Sequence, residues 1–228
     1  MCRPHASTHT RLVTRAQRPT IERVVSTDEE LLSAWRGGDP RAGAELFDRH
    51  FRALTRFFRN KQHGAMDDLI QQTMLGLLEG KDEYRAEGSF RSYVFGVAYN
   101  VLRNHYRQAR REAERLDFGV TSIFDLALGP ADQLVERSER LLLLQALRRI
   151  SVEHQVLLEL YFWEPLPAPE IAEILGLPEG TVRTRIRRAK ALLEAEIGRL
   201  TTDRSLLEST VSNLDDWARA VRASLVEG

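Results

Sequence analysis

Apolar side chains recur along this chain at intervals of three and four residues, and the strict alternation typical of strands is scarce. The pattern starts after Asp39-Pro40, a pair suited to a helix cap and the first helical position. It continues from Met66 to Leu78, where Gly80 provides a C-cap signal. A long helix then starts at Ser89 and runs to about residue 113. These segments predict a first helical block.

A stretch rich in helix breakers separates this block from a second one. Residues 116–131 include Gly129-Pro130 and predict a flexible linker of roughly 15–20 residues. Beyond the linker, Ser151 caps one of four helices predicted at residues 134–150, 152–162, 168–175 and 179–199. The expected fold class is therefore all-α, with two helical domains joined by a flexible linker and a helix-turn-helix in the second domain.

The two ends of the chain lie outside these blocks. The first residues show no sustained period and predict a flexible arm, whereas the last ones carry apolar positions at alternating intervals of four and three, which predicts an amphipathic helix. This helix either folds back to cover part of the protein or regulates it by masking a binding surface. The expected boundaries are an arm at 1–27, a first domain at 28–113, a linker at 114–133, a second domain at 134–200 and an extension at 201–228.

The distribution of charged residues along the chain bears on its function. The 228 residues carry 33 basic and 33 acidic side chains, and a net charge of zero taken alone argues against a nucleic-acid binder. However, residues 100–115 hold five basic and two acidic side chains, and residues 179–200 hold six and three. Residues 150–178 hold five acidic side chains and no basic one. Because local patches set the field at a phosphate backbone, the two basic stretches are candidate DNA surfaces, and DNA binding by the free chain should be weak and salt-sensitive.

Composition also indicates the cellular compartment and the kinds of chemical site that the sequence can form. Cys2 is the only cysteine, which excludes an intramolecular disulfide and favours a reducing compartment. No apolar run approaches the roughly 18 residues of a membrane-spanning helix, so we expect a cytoplasmic protein without membrane insertion. Cys2, His5 and His9 have a loosely metal-like spacing but lack a fourth ligand. No metal site, cofactor or catalytic residue is expected.

The strongest local motif spans residues 168–187 and indicates a helix-turn-helix. This fold needs a small residue where its helices cross, a glycine in the turn and a branched apolar residue in the second helix. Ala172, Gly176 and Val182 meet these needs at spacings of four and six. Glycine suits the turn because the backbone there can require a positive φ.

The second helix of this motif would read DNA. Its apolar positions share one face and should pack inward: Val182, Ile186, Ala189 and Leu193. Polar and basic residues occupy the other faces, and we predict DNA contacts for Thr181, Arg183, Thr184, Arg187, Arg188 and Lys190. Arginine can pair bidentately with guanine, while lysine and threonine typically hold phosphates. The alternative is an ordinary solvated basic helix.

Two separated stretches together resemble the extracytoplasmic-function (ECF) group of sigma factors of bacterial RNA polymerase, within the sigma-70 family. Residues 135–199 are similar to the domain that binds the promoter element near −35. Residues 28–113 are similar to the domain that binds polymerase and melts the −10 element. The resemblance implies a non-enzymatic factor whose partners are core RNA polymerase, promoter DNA and, in many members, an anti-sigma factor.

The N-terminal stretch carries two motifs of this family. Asp67 to Leu78 resembles the helix that binds polymerase, which implies that Asp68, Gln71, Gln72 and Thr73 face the clamp helices of the polymerase. Residues 89–107 resemble the helix that melts and reads the −10 element. Carried over, the residues that contact this element are Phe90, Arg91, Tyr93, Asn100, Arg103, Asn104 and Arg107. Aromatic rings beside arginines suit unpaired bases, since each stacked base contributes roughly 1–3 kcal/mol.

Other functions remain open from the sequence. A stand-alone helix-turn-helix regulator of the LuxR type would share the C-terminal motif and would not act through core polymerase. A helical adaptor without any role on DNA is a third reading. The N-terminal stretch distinguishes the sigma factor from both of them.

Overall fold

The computed structural model describes residues 26–59, 61, 65–85, 88–113 and 139–202. Within these ranges the chain forms eight α-helices: α1 (Asp28–Arg36), α2 (Pro40–Arg59), α3 (Met66–Gly80), α4 (Phe90–Ala113), α5 (Glu139–Leu147), α6 (Val152–Phe162), α7 (Ala168–Leu175) and α8 (Glu179–Leu200). The predicted all-α class is confirmed. The predicted arm, linker and C-terminal extension, together with Cys2, His5 and His9, lie outside the described residues.

The hydrophobic pattern that predicted the other helices did not predict α1. A capping box starts it: the Thr27 hydroxyl accepts from the Glu30 amide, and the Glu30 carboxylate accepts from the Thr27 amide. Its inner face buries Trp35, which lies so close to Gly43 of α2 that a Cβ there would meet the indole at 2.5 Å. The sequence signal was therefore the cap, Thr-x-x-Glu, rather than an apolar stripe.

Two other helices of the first block, α2 and α4, begin where the caps predicted. Asp39 Oδ1 accepts from the Arg41 amide at 2.9 Å, so the chain enters α2 at Pro40. Ser89 Oγ accepts from the Ser92 amide at 3.1 Å and starts α4. Both caps satisfy backbone donors that have no partner within the helix.

The second block departs from prediction in its first helix. A helix from 134 to 150 was expected, but α5 ends at Leu147, and residues 134–138 lie outside the described part. The amide of Ile150 donates to the Leu147 carbonyl, a three-residue bond that tightens the chain into a turn. Ser151 then accepts from the His154 amide and starts α6, as predicted. The competing cap therefore shortens α5.

The helix-turn-helix forms as the motif predicts. Gly176 adopts φ +65° between α7 and α8, and its amide donates to carbonyls of α7. Ala172 and Val182 are buried where the two helices cross.

The second block packs directly on the first. Helix α4 contacts α7, and the buried apolar residues of both blocks form one continuous cluster. The sequence predicted a flexible linker between the blocks and did not predict this contact. The contact places the helix-turn-helix beside α4, the long helix of the first block.

Candidate nucleic-acid interface

Helix α8 divides into an inward and an outward face. The four predicted inward residues, Val182, Ile186, Ala189 and Leu193, are all buried. Their burial fixes the rotation of the helix about its axis, since residues three and four apart share a face. The polar residues between them must therefore lie on the outside of the domain.

The outward face presents several of the predicted DNA-contacting residues together. Arg183, Thr184, Arg187 and Arg188 are exposed, and Thr181 is half-buried. The Arg183 guanidinium pairs with Glu179 one turn earlier at 2.5 Å. Thr184 Oγ1 donates to the Gly180 carbonyl at 3.0 Å. These contacts are local to α8, so the face remains accessible to a groove of DNA.

Lys190 lies apart from this face. It is half-buried, and its ammonium lies 4.6 Å from the ring centroid of Phe162 and 5.7 Å from that of Tyr161. A cation over an aromatic face is attracted by the ring electrons. The structure thus directs the Lys190 ammonium toward the end of α6.

Helix α4 presents a second polar face. Asn100, Arg103, Asn104 and Arg107 are exposed, at spacings that place them along one side of the helix. This face is the basic stretch that the charge count identified.

The aromatic residues at the start of α4 belong to the core. Phe90 is 2% exposed and packs near the rings of His50, Tyr84 and Tyr93. Tyr93 stacks on Tyr84 with ring centroids 4.5 Å apart, and burial raises the pKa of both phenols. In this arrangement Tyr93 is half-buried, and the Phe90 ring is closed to a base.

Arg91, the basic residue at the same end, is already paired. Its guanidinium binds the carboxylate of Glu164, which follows α6 in the second block. Glu164 also binds Arg56 of α2 at 2.5 Å. A residue that the resemblance implies for promoter contact is therefore held by the protein itself.

Helix α3 carries the residues implied in polymerase binding. Asp68, Gln71 and Gln72 are exposed, but Thr73 is fully buried and donates to the Leu69 carbonyl at 2.8 Å. Thr73 thus lies on the buried face of α3 rather than on its exposed face.

Two exposed leucines extend the outer face of α3. Leu75 is 52% exposed and Leu78 is 47% exposed, one and two turns beyond the exposed glutamines. Leu69, Ile70 and Leu77 of the same helix are instead buried. Helical projection from Gln71 alone would have found Leu75 and Leu78.

Two other kinds of site have no support among the described residues. No group of three or more histidine, cysteine, aspartate or glutamate side chains there is arranged to hold a metal ion. In the same ranges, none of the helices combines the length and apolar character needed to cross a bilayer.

Comparison with known families matches both helical blocks. Residues 46–112 match the model of Sigma-70 region 2. Residues 140–193 match the model of Sigma-70, region 4. The first match covers α3, most of α2 and nearly all of α4, and the second contains the helix-turn-helix.

Curated relatives match over most of their length. The sigma factor NccH of Alcaligenes xylosoxydans xylosoxydans is 29% identical over 177 residues, which cover 75% of this chain and 94% of NccH. The ECF sigma factor SigM of Mycobacterium tuberculosis is 28% identical over 178 residues, covering 77% of this chain and 87% of SigM.

Solved structures share the fold. The structure of CnrH in complex with the cytosolic domain of CnrY matches with a TM-score of 0.56 at 24% identity, covering 76% of this chain and 99% of that one. The sigma factor RpoE of Bartonella quintana, in complex with the anti-sigma factor NepR, matches with a TM-score of 0.55 at 21% identity, covering 71% of this chain and 98% of RpoE.

Proposed function

This chain belongs to the extracytoplasmic-function group of sigma-70 factors, and we propose which of its surfaces carry out each step of initiation. As a sigma factor it binds core RNA polymerase, directs it to promoters and assists promoter opening. The chain itself is proposed to have no catalytic activity, because the polymerase performs the chemistry. Its expected compartment is the cytoplasm, where the polymerase acts.

The outward face of α8 binds the promoter element near −35. The observation that carries this assignment is the burial of Val182 and Ile186, which turns Arg183 and Arg187 outward on the second helix of a helix-turn-helix. Such a helix enters the major groove, where a guanidinium can donate twice to one guanine. Lys190 supports this face only if its ammonium leaves the rings of α6.

The exposed side of α4 binds the −10 element. Arg103 and Arg107 supply positive charge for the phosphates, and Asn100 and Asn104 supply donors and acceptors for base edges. Arg91 and Tyr93 belong to the same helix but are partly covered in this structure. Their participation requires a rearrangement at the start of α4.

The outer face of α3 binds core polymerase. Asp68, Gln71 and Gln72 offer polar contacts, and Leu75 and Leu78 offer apolar area that has no partner among the described residues. An amphipathic helix with this combination suits a groove between partner helices. We assign Leu75 and Leu78 to this surface in addition to the residues that the sequence implied, and Thr73 to its internal support.

An anti-sigma factor is the proposed third partner. The matched structure of CnrH contains the cytosolic domain of CnrY, and that of RpoE contains the anti-sigma factor NepR. On this chain, we propose that such a partner covers the surfaces assigned above to polymerase or promoter DNA.

In vitro transcription tests the function directly. Core RNA polymerase is incubated with the full chain and a linear template library, and transcripts are mapped to their start sites. We expect initiation at a defined set of promoters that core enzyme alone does not use. A stand-alone helix-turn-helix regulator, which the match of residues 46–112 to region 2 does not favour, would bind DNA and leave core enzyme without specific initiation.

A further inference from the structure

Glu179 and Arg183 form an ion pair at the start of α8, the helix to which the −35 element is assigned. The Arg183 guanidinium donates to Glu179 Oε1 through Nε at 3.0 Å and through Nη2 at 2.5 Å. The Arg183 side chain is 67% exposed and that of Glu179 is 43% exposed. The pair is therefore ordered by its own contact and still open to a partner.

This contact uses only one edge of the guanidinium. Arginine carries five N–H donors in a planar fork. Glu179 takes the donor on Nε and one donor on Nη2, so donors on both terminal nitrogens remain available. An arginine reads guanine by donating twice, to O6 and N7. Arg183 can therefore hold Glu179 and a guanine at the same time.

The ion pair also fixes the direction in which Arg183 points. Side chains of a helix lean toward its N-terminus, and the bond to Glu179 holds the guanidinium over the first turn of α8. In a helix-turn-helix the N-terminal residues of the second helix contact the base edges. Gly180 lies in the same turn, and a Cβ built on it would meet no atom within 4 Å. The space beside the pair is thus open to a base.

Two neighbouring arginines of α8 are not held in this way. Arg187 is exposed, and none of the carboxylates in the described part of the chain pairs with it. Arg185 pairs with Glu153 of α6, which draws it toward the protein. A side chain that is ordered before binding loses less conformational entropy than a free one. Of these three arginines, Arg183 is the one prepared for a directional contact.

A glutamate at this position opposes DNA binding in general. Attraction between cations and phosphates supplies the affinity that does not depend on sequence, and a carboxylate in the first turn reduces it. The positive end of the helix dipole stabilises the Glu179 charge but does not cancel this repulsion. The exposed ion pair adds little to the stability of the fold. The arrangement therefore favours selectivity between bases over total affinity.

We propose that Glu179 is a positioning residue for promoter recognition, which orients Arg183 to donate to one guanine of the −35 element and lowers affinity for DNA of other sequence. The inference rests on the proposed role of α8 in binding this element. It deepens that role, because it assigns one base contact to Arg183 and gives an acidic residue of the recognition helix a part in selectivity.

Three variants separate orientation from charge. Glu179→Asp keeps the charge but shortens the side chain by one methylene, so it should release Arg183. Glu179→Gln keeps the length and removes the charge, which weakens the hold on the guanidinium. Arg183→Ala removes the guanidinium itself. Glu196→Gln is the matched control, because Glu196 pairs with Arg199 near the other end of the same helix.

The measurement is the base selectivity of the holoenzyme, assembled from core polymerase and the full chain. A promoter duplex mapped by transcription is changed at one base pair of the −35 element at a time, and competition anisotropy gives the affinity for each duplex relative to the original. For wild type we expect one G·C pair whose replacement weakens binding by about tenfold or more. Both Glu179 variants should lower this ratio by at least about threefold and leave the ratios at other base pairs unchanged.

Binding to a duplex without a promoter distinguishes the two Glu179 variants. Glu179→Gln should bind it more tightly than wild type at low salt, because a negative charge has been removed from the surface that meets the phosphates. Glu179→Asp retains the charge and should bind it as wild type does. Equal non-promoter binding by wild type and Glu179→Gln would contradict the general repulsion.

The dependence on Arg183 decides the proposal. Arg183→Ala should lose the ratio at the same G·C pair, and adding Glu179→Asp to it should change nothing further. The positioning role is overturned if the Glu179 variants keep the wild-type ratio, if they lower it without Arg183, or if Glu196→Gln lowers it equally. Transcription from the unaltered promoter by the wild-type holoenzyme tests the proposed function separately, since it persists when only the positioning role fails.

Discussion

At the scale of single residues, exposure decides which predicted contacts are available. Arg187 and Arg188 are exposed on α8, whereas Lys190 lies over aromatic rings and Thr73 is buried. Residue type and spacing predicted Arg187, Arg188 and Lys190 alike, and the family resemblance implied Thr73. The difference arises from what the neighbouring helices place beside each side chain.

Arg187→Ala should weaken promoter binding by the holoenzyme. The side chain is exposed on the outward face of α8, and loss of a bidentate contact to a base costs roughly 1–3 kcal/mol. Fluorescence anisotropy with a mapped promoter duplex measures the change. Arg199→Ala removes an exposed arginine from the last turn of the same helix and should have little effect. Undiminished affinity of Arg187→Ala would remove this residue from the recognition surface.

Leu75→Asn should weaken binding to core polymerase. Burying an exposed leucine side chain in an interface contributes up to about 1.5–3 kcal/mol, so we expect roughly a tenfold loss or more. Competition binding against labelled wild-type chain measures it. Leu192→Asn, a partly exposed leucine of α8, serves as the control. If the two variants bind polymerase alike, α3 does not carry this contact through Leu75.

At the scale of elements, caps and turns define where several of the helices begin and end. Thr27, Ser89 and Ser151 each start a helix through a side-chain hydrogen bond. Gly176 ends α7 in a left-handed conformation that orients α8. Each of these local signals was readable, although the Thr27 box was not used.

Gly176→Ala and Gly198→Ala should change stability with opposite signs. Neither glycine has an atom that a Cβ would meet within 4 Å, so the backbone alone decides. At φ +65° alanine costs about 1–2 kcal/mol, whereas within α8 alanine should stabilise by about 0.5–1 kcal/mol. Urea unfolding of the full chain measures both free energies. Destabilisation by Gly198→Ala would contradict the assignment of an unobstructed helical position.

Asp28→Asn should reduce stability most at neutral pH. Asp28 binds His50 Nε2 and Arg49 at 2.7 Å each, and the hydrogen bond from His50 is the main cause that lowers its pKa below 3.8. A lowered pKa contributes stability that is present above the unfolded value of 3.8 and is lost as the pH falls through the folded value. We expect a loss of about 1–2 kcal/mol at pH 7.

Urea unfolding across the acidic range checks this dependence. The difference between wild type and Asp28→Asn should shrink as the pH falls below about 4, because the wild-type carboxyl is then protonated. Asp48→Asn, an exposed aspartate of α2, is the control. A difference that stays constant with pH would assign the effect to packing instead of charge.

At the scale of the whole molecule, zero net charge results from basic faces set against acidic ones. The basic faces of α4 and α8 are balanced by the glutamates of α6, α7 and the segment between them. Several of those acids contact the first domain directly. These acidic side chains therefore make contacts between the two domains in addition to offsetting the basic residues.

DNA binding by the free chain should be weak and strongly dependent on salt. Arg183, Arg187 and Arg188 are the exposed arginines of the outward face, and each phosphate contact releases about one counterion. The slope of log affinity against log salt should be about −2.7, a loss of roughly 40-fold between about 50 and 200 mM. Anisotropy titrations on duplex DNA measure it. Tight binding at physiological salt would contradict a dependence on polymerase.

The sequence by itself determined the helices, the helix-turn-helix and the family, because caps, turn glycines and apolar spacing are local signals that act over a few residues. It also placed the basic face of α4 and the acidic stretch of the second domain. Only the tertiary structure decided that these two meet, with Glu164 on Arg91 and Glu159 on Lys61. Those pairs join residues 73 and 98 positions apart, a separation over which no sequence period carries information. Their partners are selected by how two helical surfaces pack, and this packing places Arg91, an implied DNA contact, in an ion pair within the protein.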